Sequence, residues 1–533
     1  MLCPLSSSAV RSRLPGLTVL LLAFAVPAFL WGAAELTPEE QRGRQIYLEG
    51  TSPSGGEITA VMGEGVEVPA AAVPCSSCHG RDGRGRPEGG LSPTDLTWGN
   101  LTKPYGLTHP SGRKHPAYDE RLLKRAVAMG LDPAGNALHV AMPRFRMSQQ
   151  DMADLTAYMK KLGHEGEPGV SGTEVRIGVV LPPAGPLSPM GNAVRAALAA
   201  RFDLVNKDGG VYGRRIEPRF VEAPGAPEQR RAWAADFLER EQVFASVASF
   251  LAGADAELAG LFQEKEVPLV GPFTLHPRET SPTQRYVFYL LPGIESQGRA
   301  LVRFARETPS GGTPRPALLA PEDKDLDPAV EAVGKACAGW AAPTVLRHGR
   351  QPSALADLAR RLAGEKADPV FFLGSGPEAV AFLRAAEPLG WRPRLLLTAA
   401  AGDASLFSVP AAFDGRVFLA LPELPGVPPP PEAATRYQQL AAGYSLPREH
   451  LSAQLTALAA AEVLLDGLRR AGRDLTRDRL IQQLEGVRQL RTGYAPPVTY
   501  GPTRRLGARG AYVVKLDVKG RSFVPETDWI DVE

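Results

Sequence analysis

Cysteine is scarce in this chain: four in 533 residues, beside eight histidines. Cys3 precedes the first apolar run, and Cys337 stands alone in an alanine-rich helical stretch. A disulfide framework is thereby excluded. An excess of charge of one sign is missing too. There are 60 basic and 58 acidic residues, and Arg11 with Arg13 accounts for the difference. No footprint for nucleic acid follows. The chain also lacks a G-x-S-x-G elbow, an H-E-x-x-H helix and a Walker A loop. No catalytic constellation emerges, and no enzyme is expected.

Long apolar runs are absent but for one. Leu17–Trp31 follows Arg11 and Arg13 and ends on the small residues Gly32-Ala33-Ala34. That is the pattern of a secretory signal over residues 1–34, cleaved near Ala34, with the protein destined for the periplasm. An uncleaved anchor is the alternative, although a short run with a proline inside suits a bilayer span poorly. Three segments follow, as the length of the chain requires. Residues 35–163 hold two capped helices around a cysteine motif. Residues 164–172 have linker composition. Residues 173–533 alternate short β-rich runs with amphipathic helical stretches, the signature of a parallel α/β sheet.

What is present in the first segment is Pro-Cys-Ser-Ser-Cys-His-Gly at 74–80. C-x-x-C-H places two thiols for addition to haem vinyl groups and aims the next imidazole at iron. Zinc would need two further ligands at matched spacing, and no second C-x-x-C exists. A thioredoxin-like site would need a βαβ context that this segment lacks. One covalently attached haem c is therefore expected on Cys75 and Cys78, with His79 as proximal ligand. For the sixth position the segment offers Met129, Met142, Met147, Met152 and Met159, with His109, His115 and His139. Met142 is preferred, because Pro143 holds it in an irregular stretch just before the last helix. His139 or His115 is the runner-up. Thr37-Pro-Glu-Glu40 opens the first helix as a capping box, and Ser148 opens the last.

With these marks the segment resembles the class I c-type cytochromes, through Gly43 and Tyr47, Cys75, Cys78, His79, Met142-Pro143 and Tyr158. The resemblance implies an all-α domain whose two terminal helices pack together, and an electron-transfer role. Residues 51–74 depart from the pattern as a glycine-rich insertion able to form a hairpin, Ile58–Met62 against Val66–Pro69.

The rest of the chain resembles the type I periplasmic solute-binding proteins of the leucine/isoleucine/valine-binding class, the substrate-binding type of ABC transporters. The marks are Ile177-Gly-Val-Val-Leu181, Asn206-Lys-Asp-Gly-Gly-Val-Tyr-Gly213, Val267-Pro-Leu-Val-Gly271 and Leu465-Asp-Gly-Leu-Arg-Arg-Ala-Gly472. The resemblance implies two α/β lobes, about 173–293 with 422–497 and about 294–421 with 498–533. Crossings fall near Pro292–Glu295, Leu421–Glu423 and Ala495–Tyr500. It also implies a small organic solute held by Ser249, Gly253, Phe273 and Thr274 from one lobe and Asp323, Thr398 and Asp403 from the other. A turn or cap is an equal reading of each of these polar residues. The loop Pro182–Met190 is too apolar to point to amino acids alone.

The expected function is an exported cytochrome tethered to a solute-binding domain, with a periplasmic dehydrogenase or oxidase as redox partner. The alternative is the receptor of an ABC importer, partnered by its permease and carrying an accessory haem. A peroxidase-like haem enzyme would need an open sixth position.

Overall fold

The computed structural model describes residues 36–532 apart from 64, 86–89, 110, 164–165, 279–283, 310, 312, 350 and 425–428. The expected signal segment thus lies outside the described residues. The chain divides into two compact units. One holds the residues through Ser77 with Leu96–Glu165; the other holds Cys78–Asp95 with Gly166–Glu533.

In the first unit the terminal helices are Pro38–Glu49 and Gln149–Met159. Thr37 and Glu40 close the capping box reciprocally, with the Thr37 amide donating to Glu40 Oε2 at 2.8 Å. The helices meet at Gly43, where an added Cβ would lie 2.0 Å from the Asp154 carbonyl oxygen. Tyr47 and Tyr158 stack obliquely beside that contact, their ring centroids 5.5 Å apart. Arg42 holds Asp154 through two bonds of 2.7 and 2.9 Å. Asp154 is almost wholly buried, while the Arg42 side chain stays partly exposed.

The insertion is built into this unit. Thr59–Met62 pairs antiparallel with Val66–Pro69 on one side and with Arg144–Arg146 on the other. Ala60, at the centre of that sheet, is fully buried, and its partner Phe145 joins the same core. The hairpin expected from the sequence therefore has a third strand, which begins directly after Met142-Pro143.

The second unit contains two sheets. The first is wholly parallel, in the order Val287–Phe288, Leu269–Val270, Ala245–Val247, Glu174–Leu181, Arg215–Glu222. The second runs Thr344–His348, Ala317–Pro321, Val370–Phe372, Leu395–Thr398, Val417–Leu421 in parallel. It is closed by Gly510–Asp517 and Ser522–Pro525 in antiparallel sense. The central strands are near-continuous apolar runs because helices cover both faces. Leu451–Ala471 is long and apolar enough to cross a membrane, yet it lies in the first lobe's core. Cys337 is buried in the second lobe, and burial pushes its thiol up to about 11, which leaves it unreactive.

Two boundaries differ from the expectation. The last crossing lies after Leu506 rather than at Ala495–Tyr500. Val498 and Tyr500 belong to the first lobe's core, and Tyr500 donates to the Tyr289 carbonyl at 3.1 Å. Leu506 packs there too, and the second lobe resumes at Gly510. Residues 35–163 also do not form one compact unit, since Cys78–Asp95 groups with the second. Arg81 pairs with Glu266 at 2.7 Å, and the Thr476 hydroxyl donates to Asp82 at 3.3 Å.

Candidate functional site

Cys75–His79 forms one short helical turn after Pro74. Cys75 is half-buried and Cys78 exposed, and neither forms a disulfide among the described residues. The His79 ring is 7% exposed, and its Nδ1 lies 3.0 Å from the Thr94 carbonyl. A carbonyl can only accept, so Nδ1 carries the proton and Nε2 presents its lone pair. Burial also pushes the His79 pKa down, against the smaller opposing pull of the Thr94 bond. The ring is thereby kept neutral, the form in which imidazole binds a metal. A neutral, oriented imidazole next in sequence to two cysteines outside any disulfide fits the covalent haem that the spacing implies.

Met142 is half-buried against the same core as Cys75. Its amide donates to the His139 carbonyl at 3.0 Å, and the Arg144 guanidinium donates to its carbonyl. The other candidates for the sixth position differ in their surroundings. Met159 is buried within the core, and Met129 is 63% exposed. Both His115 nitrogens are engaged, one with Pro116 at 2.7 Å and one with His109 at 2.9 Å. His139 is exposed, and its Nδ1 accepts from the Ala141 amide at 3.2 Å.

A candidate solute cavity lies in the second unit, at the carboxyl ends of strands, where ligand clefts of α/β folds form. Its volume is about 390 Å³. Leu275 and His276 line it from the first lobe, and Asp323, Leu373, Ser375 and Glu378 from the second. Of the seven residues expected to hold the solute, Asp323 alone lines this cavity. It caps the turn Lys324–Leu326 by accepting from the Asp325 amide at 3.0 Å.

The other six serve the loops themselves or lie outside the cavity. Ser249 Oγ accepts from the Val180 amide at 2.9 Å and shares a proton with Ser246 at 2.8 Å. Thr274 donates to Asp255 and accepts from the His276 amide at 2.9 Å. The Gly253 amide donates to the second Asp255 oxygen at 3.0 Å, so one carboxylate ties two loops together. Phe273 stacks on Phe250 at 4.5 Å. Asp403 caps a short turn by accepting from Ser405 at 2.7 Å. Thr398 is buried, and its hydroxyl meets no partner among the described residues.

Leu275, His276, Ser375 and Glu378 also line the cavity, and sequence reasoning did not single them out. A signal existed for the last two. Ser375-Gly-Pro-Glu378 before an apolar run is a capping box, and the Gly376–Ala386 helix starts there.

A family model described as periplasmic binding protein matches residues 174–521, and one described as cytochrome c matches 68–163. No curated protein matches the chain. Among solved structures, a branched-chain amino acid ABC transporter protein from Thermus thermophilus, with bound valine, is 20% identical. That match covers 68% of this chain and 97% of the other, with a TM-score of 0.55. A fatty acid ABC transporter substrate-binding protein from Thermomonospora curvata is 18% identical over 69% of this chain and 95% of its own, with a TM-score of 0.54. A substrate-binding periplasmic protein from Ralstonia solanacearum is 21% identical over 66% and 99%, with a TM-score of 0.51. At these identities the likeness is one of fold.

Proposed function

The chain belongs to the periplasmic binding protein family and carries a cytochrome c domain ahead of that module, and on that premise we propose an exported electron-transfer protein tethered to a small-solute receptor. The observation that carries the redox half is the His79–Thr94 bond of 3.0 Å, which leaves Nε2 free for iron. Cys75 and Cys78 would hold one haem through thioether bonds, with His79 and Met142 as axial ligands. Haem, when bound, supplies a one-electron iron couple whose potential a methionine ligand raises. The chain's own part is to hold the imidazole neutral and oriented. The strand Arg144–Arg146, paired to the insertion hairpin, anchors the Met142 loop. A periplasmic dehydrogenase or oxidase is the redox partner that this reading calls for.

The receptor half is supported by the cleft of about 390 Å³ between strand ends. Relatives of the same fold are described with valine or as fatty acid receptors, which brackets the solute as a small organic molecule with an aliphatic part. An importer permease is the partner that such relatives suggest.

Met142→Ala tests the axial assignment. The oxidised wild type should show the methionine–iron charge-transfer band. The variant should lose it and fall in potential by roughly a tenth of a volt or more, while keeping haem covalently bound. A band absent from wild type, or surviving in the variant, removes Met142 from the iron. Thermal stabilisation by a solute panel tests the receptor half.

A further inference from the structure

The two walls of the cavity are tied together beside it. His276 lines it from the loop between the first-lobe strands Leu269–Val270 and Val287–Phe288, and Arg278 follows two residues later. Asp323 and Leu326 line it from the turn after the second-lobe strand Ala317–Pro321, with Asp325 between them in sequence. Arg278 Nη2 donates to Asp325 Oδ1 at 3.1 Å. This ion pair therefore runs from one lobe to the other. Neighbouring pairs do not: Arg285–Asp478 stays in the first lobe and Arg347–Asp327 in the second.

Both ends of the pair are anchored in their own surroundings. A Cβ on Gly293 would lie 2.1 Å from the Pro277 Cδ, so the absence of a side chain there lets the loop sit close. The Ile294 amide donates to the Leu275 carbonyl at 3.0 Å, which fixes the loop where the chain passes into the second lobe. On the other side, the Asp325 amide donates to Asp323 Oδ1 at 3.0 Å, and Leu326 is buried in the second lobe's core. Arg347 supports that turn by donating to the Pro321 carbonyl at 3.1 Å.

An attraction between lobes favours only the arrangement in which they approach each other. A solute enclosed by both walls favours the same arrangement, so the two reinforce one another.

We propose that Arg278 and Asp325 form a strap that holds the cleft closed over its solute. The inference rests on the receptor reading above and gives that site a control lying outside the cavity wall. The two side chains are 42% and 58% exposed. The strap should therefore change the closed-to-open ratio by a factor of about two to five, and weaken in salt.

X-ray scattering from the full haem-loaded chain without solute tests the strap on wild type, Arg278→Asp, Asp325→Arg and the double swap. Both single variants should be more extended than wild type, and the swap should return to the compact form. Wild type should also open in about 1 M salt, where charges are screened beyond about 3 Å. Single variants as compact as wild type, or a swap that stays extended, overturn the inference. Titration with valine and with hexanoate gives a second readout. A probe that binds wild type should bind Arg278→Gln about two- to fivefold more weakly. Equal affinities overturn the strap and leave the receptor reading standing. If neither probe binds either protein, the receptor reading loses its support, and scattering alone decides the strap.

Discussion

Replacing Gly43 by alanine is expected to destabilise the first unit by at least about 3 kcal/mol, and valine by more. Local propensity predicts the opposite sign, since alanine in a helix interior is favoured over glycine by about 1 kcal/mol. Packing decides the matter. The new Cβ would lie 2.0 Å from the Asp154 carbonyl oxygen and 2.7 Å from the Tyr158 Cβ. These obstacles are backbone and a first side-chain carbon, so no rotamer change relieves them. The helices would have to part, loosening the Tyr47–Tyr158 contact and the Arg42–Asp154 pair. Denaturant unfolding followed at the haem absorption band measures the loss. A Gly43→Ala protein as stable as wild type would show that the helices do not meet there.

The stability of the second unit should fall as pH rises through neutrality, by up to about 3 kcal/mol, on account of Glu167 alone. Its carboxyl is raised from 4.5 to about 7, mainly by burial, with Arg477 pulling the other way. Arg477 compensates poorly because its donors are spent on backbone. It bonds the Val243 and Phe244 carbonyls at 2.6 and 3.0 Å and reaches Glu167 only at 3.7 Å. A folded pKa above the unfolded one means that the native state binds the proton more tightly. The contribution is thus complete below about 4.5 and lost as pH climbs through about 7. Solvent screens it little, since the side chain is 14% exposed. Glu167→Gln removes the titration, so its stability relative to wild type should improve by about 2–3 kcal/mol between pH 5 and pH 8. Urea unfolding of both proteins at the two values checks this, and parallel pH profiles would contradict it.

Much of the fold was legible because its strands are interior. Val417–Leu421 and Leu395–Thr398 are continuous apolar runs, and such runs announce a covered parallel sheet. Thr344–His348 escaped notice because it lies at the sheet edge, with mixed burial and Arg347 in its middle. The Gly510–Asp517 strand escaped because it returns to a sheet begun some two hundred residues earlier, a pairing no local pattern records. In the solute site the gap was wider. Ser249, Thr274 and Asp403 are the right residue types at strand ends, yet Thr274 and Asp403 close bonds within their own turns and Ser249 holds the Val180 amide of a neighbouring strand. Short polar side chains close local bonds first, and only the remainder face a ligand.

By itself the sequence determined the chemistry that is written in contiguous residues. C-x-x-C-H needs no tertiary context to place two thiols and an imidazole on one turn, and the capping boxes at Thr37 and Ser375 likewise close within four residues. The tertiary structure alone decided what depends on residues brought together from afar. It gave the His79 proton its carbonyl at Thr94, joined the insertion to the strand after Met142, and turned Glu378 rather than Thr398 or Asp403 toward the cavity. The reason is that local bonds are set by chain spacing, whereas the contents of a cleft are set by which loops the two sheets present together.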